Sequence, residues 1–312
     1  MARARTLFFG SGAFAVAVLE AVLVAPELVL AGVVTAPPRP VGRRAVLTPT
    51  PVGVRAAALG VPVLAPGRLR DAGAVAALGA LAPEVGILAD YGKLLPPAVL
   101  ELPVHGVLNL HPSLLPRHRG ATPVPAAILA GDGVTGVSLF RMDAGMDSGP
   151  LVAMEQVPVR DEEDAPALEA RLAVVAGALL GRSIGPYLRG EITPLAQPAD
   201  GVTHTRPLTR DDGRLDPGAP AAALERQVRA YRSWPGTFLD LPEGRLAVLR
   251  ATVAPGRDGD LPATLAADGP GLALATAAGR LALLEVRAAG GRPMDAAAYR
   301  RGHPGAVGAR VR

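Results

Sequence analysis

The chain has no cysteine among its 312 residues. That excludes disulfides, a thiol nucleophile and thiolate metal ligands. A cysteine-free chain fits a reducing compartment, so a cytoplasmic protein is expected. Aromatic residues make up only 3%, so Ala, Val and Leu must fill most of the interior. Lysine is almost missing: arginine supplies 31 of the 32 positive charges, with Lys93 the exception. A bias this uniform points to no particular site. Long unbroken apolar runs are missing too. Residues 12–38 are strongly apolar, but Glu20, Glu27 and two glycines interrupt them. A membrane span of roughly 20 apolar residues fits poorly, and a buried helix followed by a buried strand fits well. The opening MARARTLFFGSG carries two arginines but too short an apolar stretch for a secretory signal. No membrane partner is expected.

The length suits two domains, and 49% apolar residues are enough for substantial cores. Charge is uneven along the chain. Residues 1–200 hold 16 Arg+Lys against 17 Asp+Glu, and residues 201–312 hold 16 against 11. The basic second part fits contact with nucleic acid, or simply a solvated, arginine-rich surface.

The first 190 residues alternate short apolar runs with helical patterns. TLFFG, LVLAGVVT, VPVLA, EVGILADY, GVLNLH, VTGVSLFRM and LVAMEQVPV read as strands. AFAVAVLEAVLV, VGVRAAALG, LRDAGAVAALGALA, PPAVLEL and a long stretch from about Ala165 to Leu188 read as helices. Residues 36–51, with five prolines and three arginines, read as a loop. This alternation predicts an α/β domain over 1–190, a Rossmann-like, mostly parallel sheet with helices on both faces. Continuously apolar strands such as EVGILA fit a sheet covered on both sides. Residues 191–208 read as a linker. After a helix at 221–234, short strand-like runs punctuated by Gly, Pro and Asp predict a smaller β-barrel (OB-like) domain over 209–312.

Chemistry concentrates in the middle of the first domain. FFGSGAFA matches G-x-G-x-x-A through Gly10, Gly12 and Ala15, but the second strand lacks the acidic residue that a nicotinamide dinucleotide site needs. The glycines then serve only a tight turn. In GVLNLH, Asn109 and His111 are two apart, so they share one face of a strand, near its C-terminal end. That is where ligands bind in open α/β sheets. An uncharged amide donor beside an imidazole suits attack on a carbonyl: one steadies the oxyanion, the other moves a proton. The plainer alternative is that both only hydrogen-bond neighbouring backbone. RMDAGMDSGP, after the next strand, puts Asp143 and Asp147 in a glycine-rich loop. An Asp beside His111 would orient the ring, while an ordinary turn aspartate would do nothing further. His105, His118, His204 and His303 are scattered, and no metal motif or P-loop is present. DEED at 161–164 precedes the long helix and reads as a cap.

LNLHPSLLPRHRGATP followed by GVSLFRMDAGMDSGP closely resembles the formyltransferase family that uses 10-formyltetrahydrofolate, most strongly its members that act on methionyl-tRNA. FFGSGAF, ADYGKLLP and LERQVRAYRSWPGTF fall in the family's order over nearly the whole chain. The resemblance implies that Asn109, His111 and Asp147 are the catalytic trio, and that Ser113, Leu114, Leu115 and Pro116 contact folate. It implies formyl transfer from 10-formyltetrahydrofolate to the methionine amino group of initiator tRNA, with no metal, by a monomer. It also implies that PPRPVGRRAVL, with Arg39, Arg43 and Arg44, meets the tRNA acceptor end. This loop keeps R-P-x-G-R but lacks the lysines that often follow. VPAAI after ATP departs from the family's bulkier polar residues, so no substrate contacts are assigned to Pro125 and Ala126. The alternative within the family is a formyltransferase for a small amine such as an amino sugar. A tRNA-binding module without activity and a nicotinamide oxidoreductase are the rivals of other classes.

Overall fold

A computed structural model describes residues 3–41 and 45–311. The chain divides into two compact units. The first comprises Met1–Pro123, Val134–Pro158 and Glu169–Thr205, and the second Val124–Gly133, Val159–Leu168 and Arg206–Arg312.

Along the first part run β1 (Ala4–Gly10), α1 (Ala13–Val24), β2 (Leu28–Val34), β3 (Arg39–Val41), β4 (Val46–Thr48), α2 (Pro51–Ala58) and β5 (Val63–Leu64). Then come α3 (Ala72–Gly79), β6 (Val85–Ala89), α4 (Pro97–Leu100), β7 (Val107–His111) and β8 (Arg119–Gly120). They are followed by α5 (Pro123–Ala130), β9 (Val134–Arg141), β10 (Leu151–Pro158), α6 (Ala165–Leu188) and β11 (His204–Thr205). The main sheet has the order β10-β9-β7-β6-β1-β2-β5. β5, β2, β1, β6 and β7 are parallel, and β9 and β10 add antiparallel at one edge. β1 shows why both faces are apolar. Leu7 and Phe9 join one cluster with Leu78 of α3 and Val99 of α4. On the other face Gly10 has no room for a side chain, since a Cβ there would lie 2.7 Å from Ala15 of α1. α6 packs on α1 where Gly177 approaches Ala21.

Three features of the first part of the chain depart from the sequence reading. Within the expected loop 36–51, β3 and β4 form a short exposed antiparallel hairpin, with Pro40 opposite Leu47. A two-stranded ribbon tolerates Pro because its outer edge needs no ladder bond. α5 has no counterpart in the sequence pattern. Pro123 starts it, where a missing N–H costs nothing, and Val124, Ala127 and Ile128 bury one face. Residues 191–208 are no free linker. Leu195 bridges Leu151, and β11 pairs in parallel with β8.

The second unit holds α7 (Ala221–Ala230), β12 (Thr237–Leu241), β13 (Gly244–Ala254), β14 (Leu265–Asp268), β15 (Gly271–Ala275), β16 (Arg280–Ala288), β17 (Met294–Asp295) and α8 (Ala296–Gly302). The sheet is antiparallel in the order β12-β13-β16-β15-β14, with β17 on β16. Among the described residues no ladder joins β12 to β14, so the sheet does not close by hydrogen bonding. One apolar core gathers Leu239, Val248, Leu265, Leu274 and Leu283 from the strands with Leu224 of α7 and Tyr299 of α8.

Candidate active site

β7 lies between β6 and β9, with Asn109 opposite Leu88 on one side and Phe140 on the other. Its five residues are all buried, Asn109 at 6% and His111 at 5% exposure. The burial comes from the apolar neighbours on both sides, and it leaves two polar side chains only slightly exposed at the carboxyl end of the sheet. His111 Nε2 lies 2.9 Å from the backbone carbonyl of His118. A carbonyl only accepts, so Nε2 carries the hydrogen and donates it. In the neutral ring Nδ1 is therefore the free, basic nitrogen. It faces Asp147 Oδ2 at 3.8 Å, an ion-pair distance too long for a direct hydrogen bond. No described residue hydrogen-bonds the Asn109 side chain, so its amide is available to a ligand.

Asp147 is held in an uncommon backbone conformation, φ +48°, which Asp tolerates better than most residues. The loop can fold this tightly because of its glycines. A Cβ at Gly149 would lie 1.9 Å from the Arg141 carbonyl, and one at Gly145 would lie 2.1 Å from Ser148 Oγ. The Asp147 carboxylate accepts the Gly120 backbone N–H at 2.7 Å. Asp143 instead accepts from Ser148 Oγ and Gly145 N–H, so it shapes the loop. The structure thus gathers Asn109 and His111 on one strand face and brings Asp147 against the ring.

Ser113 is fully buried and its hydroxyl donates to the Arg117 carbonyl at 2.7 Å. Leu115 is buried and its N–H donates to Ser138 Oγ, while Ser138 Oγ donates to the Ser113 carbonyl. Leu114 covers Gly136 of β9, and the Leu115–Pro116 peptide is cis. Ser113 and Leu115 therefore build the turn that carries His118 back to His111. A cavity of about 420 Å³ opens elsewhere in the first unit, lined by Arg68–Arg70, Leu94–Pro97 and Met142–Gly145. It shares the loop that holds Asp147. Two of its three parts belong to the motifs ADYGKLLP and RMDAGMDSGP, but Arg68–Arg70 carries no sequence signal and lies up to 77 positions from the rest. Tyr91, three residues before Leu94, packs edge-on against Phe9, and burial pushes its hydroxyl up to about 12.

The first strand-to-helix turn does not look like a phosphate cradle. Gly12 caps α1 without a side chain. The Asp90 carboxylate occupies that end, so close that a Cβ at Gly12 would sit 1.8 Å from Oδ2. Desolvation there raises the Asp90 pKa, and the Gly12 N–H pulls it back down. A pyrophosphate would meet this carboxylate. Asp164 of DEED accepts the Ala167 N–H, as a cap of α6. Arg39 is exposed on β3; Arg43 and Arg44 lie outside the described residues. Among the described residues no group of three or more His, Asp or Glu could hold a metal, and no helix is long and apolar enough to cross a membrane.

Residues 4–184 match the model of the formyl transferase family, and residues 207–304 match that of the formyl transferase C-terminal domain. A methionyl-tRNA formyltransferase of Roseiflexus sp. (strain RS-1) is 45% identical over 301 residues, covering 96% of this chain and 92% of that one. The chain belongs to the methionyl-tRNA formyltransferase family. A second member, from Myxococcus xanthus (strain DK1622), is 41% identical over 99% of this chain and 98% of its own. Among solved structures, an N-formyltransferase from Helicobacter canadensis in complex with folinic acid and dTDP-3-aminofucose has a TM-score of 0.68 at 13% identity. It covers 90% of this chain and 98% of that one. HypX from Aquifex aeolicus in complex with tetrahydrofolic acid has a TM-score of 0.63 at 16% identity, covering 98% and 48%. Those two likenesses concern the fold. For a methionyl-tRNA formyltransferase family member, the matched regions leave out 185–206, the segment that carries β11.

Proposed function

We propose that the protein transfers the formyl group of 10-formyltetrahydrofolate to the amino group of methionine on initiator tRNA, with Asn109, His111 and Asp147 as the catalytic residues. The observation that carries this is the buried His111 ring, fixed as the Nε2–H tautomer, with Nδ1 turned to Asp147 and an unpaired Asn109 amide on the same strand face. The methionine amine attacks the formyl carbon. Asn109 donates to the oxyanion that develops there, in a largely buried site. The attacking amine must lose a proton. His111 Nδ1 takes it, directly or through one water, and the Asp147 carboxylate stabilises the imidazolium. Collapse of the tetrahedral carbon breaks its bond to the folate nitrogen. That nitrogen receives a proton, tetrahydrofolate leaves, and the amide remains on methionine.

The 420 Å³ cavity supports a place for the folate ring, because apolar Leu69, Leu94, Leu95 and Met142 line it and the loop of Asp147 forms one wall. Ser113, Leu114, Leu115 and Pro116 are the proposed folate contacts, Ser113 through backbone and shape because its hydroxyl is committed within the turn. Arg39, Arg43 and Arg44 and the arginine-rich region 209–312 are the proposed tRNA contacts, with 1–190 as the catalytic domain. The enzyme acts as a cytoplasmic monomer. The test mixes purified protein, 10-formyltetrahydrofolate and methionyl initiator tRNA and detects formylmethionine on the tRNA. Formyl transfer to a small amine such as an amino sugar, and none to tRNA, would move the assignment to that substrate class.

A further inference from the structure

The segment after α6 reads as a linker, yet it touches both chain segments that face His111. Gln197 is the centre of this contact. Its side-chain nitrogen donates to the Asp147 carbonyl and to the Gly149 carbonyl, each at 2.8 Å. Its Oε1 accepts from Arg119 Nε at 3.1 Å and from Arg119 Nη2 at 2.7 Å. All the hydrogen-bonding capacity of one primary amide is thus spent on two loops. One loop carries Asp147. The other carries the His118 carbonyl that fixes the His111 tautomer, and the Gly120 N–H that holds the Asp147 carboxylate. Thr203 and Thr205 secure the same loop a few residues on. Thr203 Oγ1 accepts the His118 N–H at 2.8 Å, and Thr205 Oγ1 donates to the Arg119 carbonyl at 3.0 Å.

Asp147 needs such support. Its φ of +48° is a conformation that persists when the surroundings impose it. Gly120 fixes its carboxylate and Gln197 fixes its carbonyl, so the side chain is aimed from both ends. Neither Glu nor Asn does this job. Glu at 197 would keep the Arg119 contact but would set oxygen against both carbonyls. Asn would be one methylene too short to span the loops.

We propose that Gln197 is a positioning residue for formyl transfer: its carboxamide ties the Asp147 loop to the Arg119 segment and thereby sets the distance from Asp147 to His111 Nδ1. This rests on the catalytic roles given above to His111 and Asp147. It extends the functional site to a segment of chain outside both family matches.

The test is a double-mutant cycle on the full-length protein, with kcat, the KM for each substrate and melting temperature measured for each variant. Gln197→Ala and Gln197→Glu should each lower kcat by about ten- to a hundredfold, the scale of a 1 Å misplacement. KM for folate and for tRNA should change by less than about threefold, the mark of an interaction made in the transition state. In an Asp147→Asn background, Gln197→Ala should cost less than about threefold more, because its effect runs through Asp147. Gln197→Glu at full activity would overturn the proposal, since then only the Arg119 contact matters. Fully multiplicative losses in the double variant, or a kcat loss that merely follows a lowered melting temperature, would overturn it as well. If Asp147→Asn alone is fully active, the trio reading fails instead. Gln197→Ala then decides the remainder: an unchanged kcat ends the positioning role too.

Discussion

Replacing Asp147 by Asn changes one charge and almost no volume. The two groups of interest are 3.8 Å apart and mostly buried, with side chains 6% and 15% exposed. At an effective dielectric of 20, an imidazolium and a carboxylate at that distance attract by about 4 kcal/mol. If the proton is fully on His111 in the rate-limiting transition state, losing that attraction slows kcat by about a thousandfold. If half the charge has developed, the loss is about thirtyfold. Asp147 Oδ2 both faces Nδ1 and accepts the Gly120 N–H, so the amide oxygen takes that place, the loop keeps its shape and only the charge is lost. Single-turnover formyl transfer measures the step without product release. The expected result is a kcat loss between about thirtyfold and a thousandfold with KM values and melting temperature unchanged. A kcat within threefold of the parent would refute the ion-pair role of Asp147, since it would leave less than about one-sixth of a charge on the ring in the transition state.

Gly120→Ala should lower the melting temperature and reduce kcat more than tenfold, because Gly120 has φ +104° and a Cβ would lie 2.3 Å from the Thr205 carbonyl; thermal unfolding and the transfer assay read both. Asp260→Asn should destabilise the second unit by about 2 kcal/mol or more, since Arg280, only 5% exposed, would lose its main partner; urea unfolding measures it. The Arg280 guanidinium, with the Arg257 N–H, holds the Asp260 carboxyl below its ordinary value. A depressed carboxylate contributes stability above the unfolded value near 3.9 and loses it as pH falls through the folded one. The urea midpoint should therefore drop more steeply below about pH 4 in the parent than in Asp260→Asn. Arg39→Ala should weaken tRNA binding and reduce the slope of log affinity against log salt by about one; an unchanged slope would remove Arg39 from the phosphate contacts.

The Asn109–His111 pair was legible because strand periodicity alone puts i and i+2 on one face, and the alternating pattern placed β7 in a buried sheet. The α/β order of the first unit followed from the same patterning. The pairing of His111 with Asp147 depends on a loop closing across 36 residues, and only the glycines hinted at it. The role of 195–205 was not legible at all. Its bonds run from side-chain amides and hydroxyls to backbone carbonyls 48 to 86 positions away, and such partners leave no periodic trace. α5 escaped because two prolines and a run of Ala mask its amphipathic face, and α8 because seven residues are too few to show one. Ser113 is a different case. Its place in the motif suggested folate contact, but its hydroxyl is fully buried and turned to the Arg117 carbonyl.

The most direct test of the account is formyl transfer to methionyl initiator tRNA by the parent protein beside Asn109→Ala and His111→Ala. The account predicts formylmethionine on tRNA from the parent and a loss of about a hundredfold or more in each variant. Variants as active as the parent would contradict it, because the chemistry would then lie elsewhere than the carboxyl end of β7.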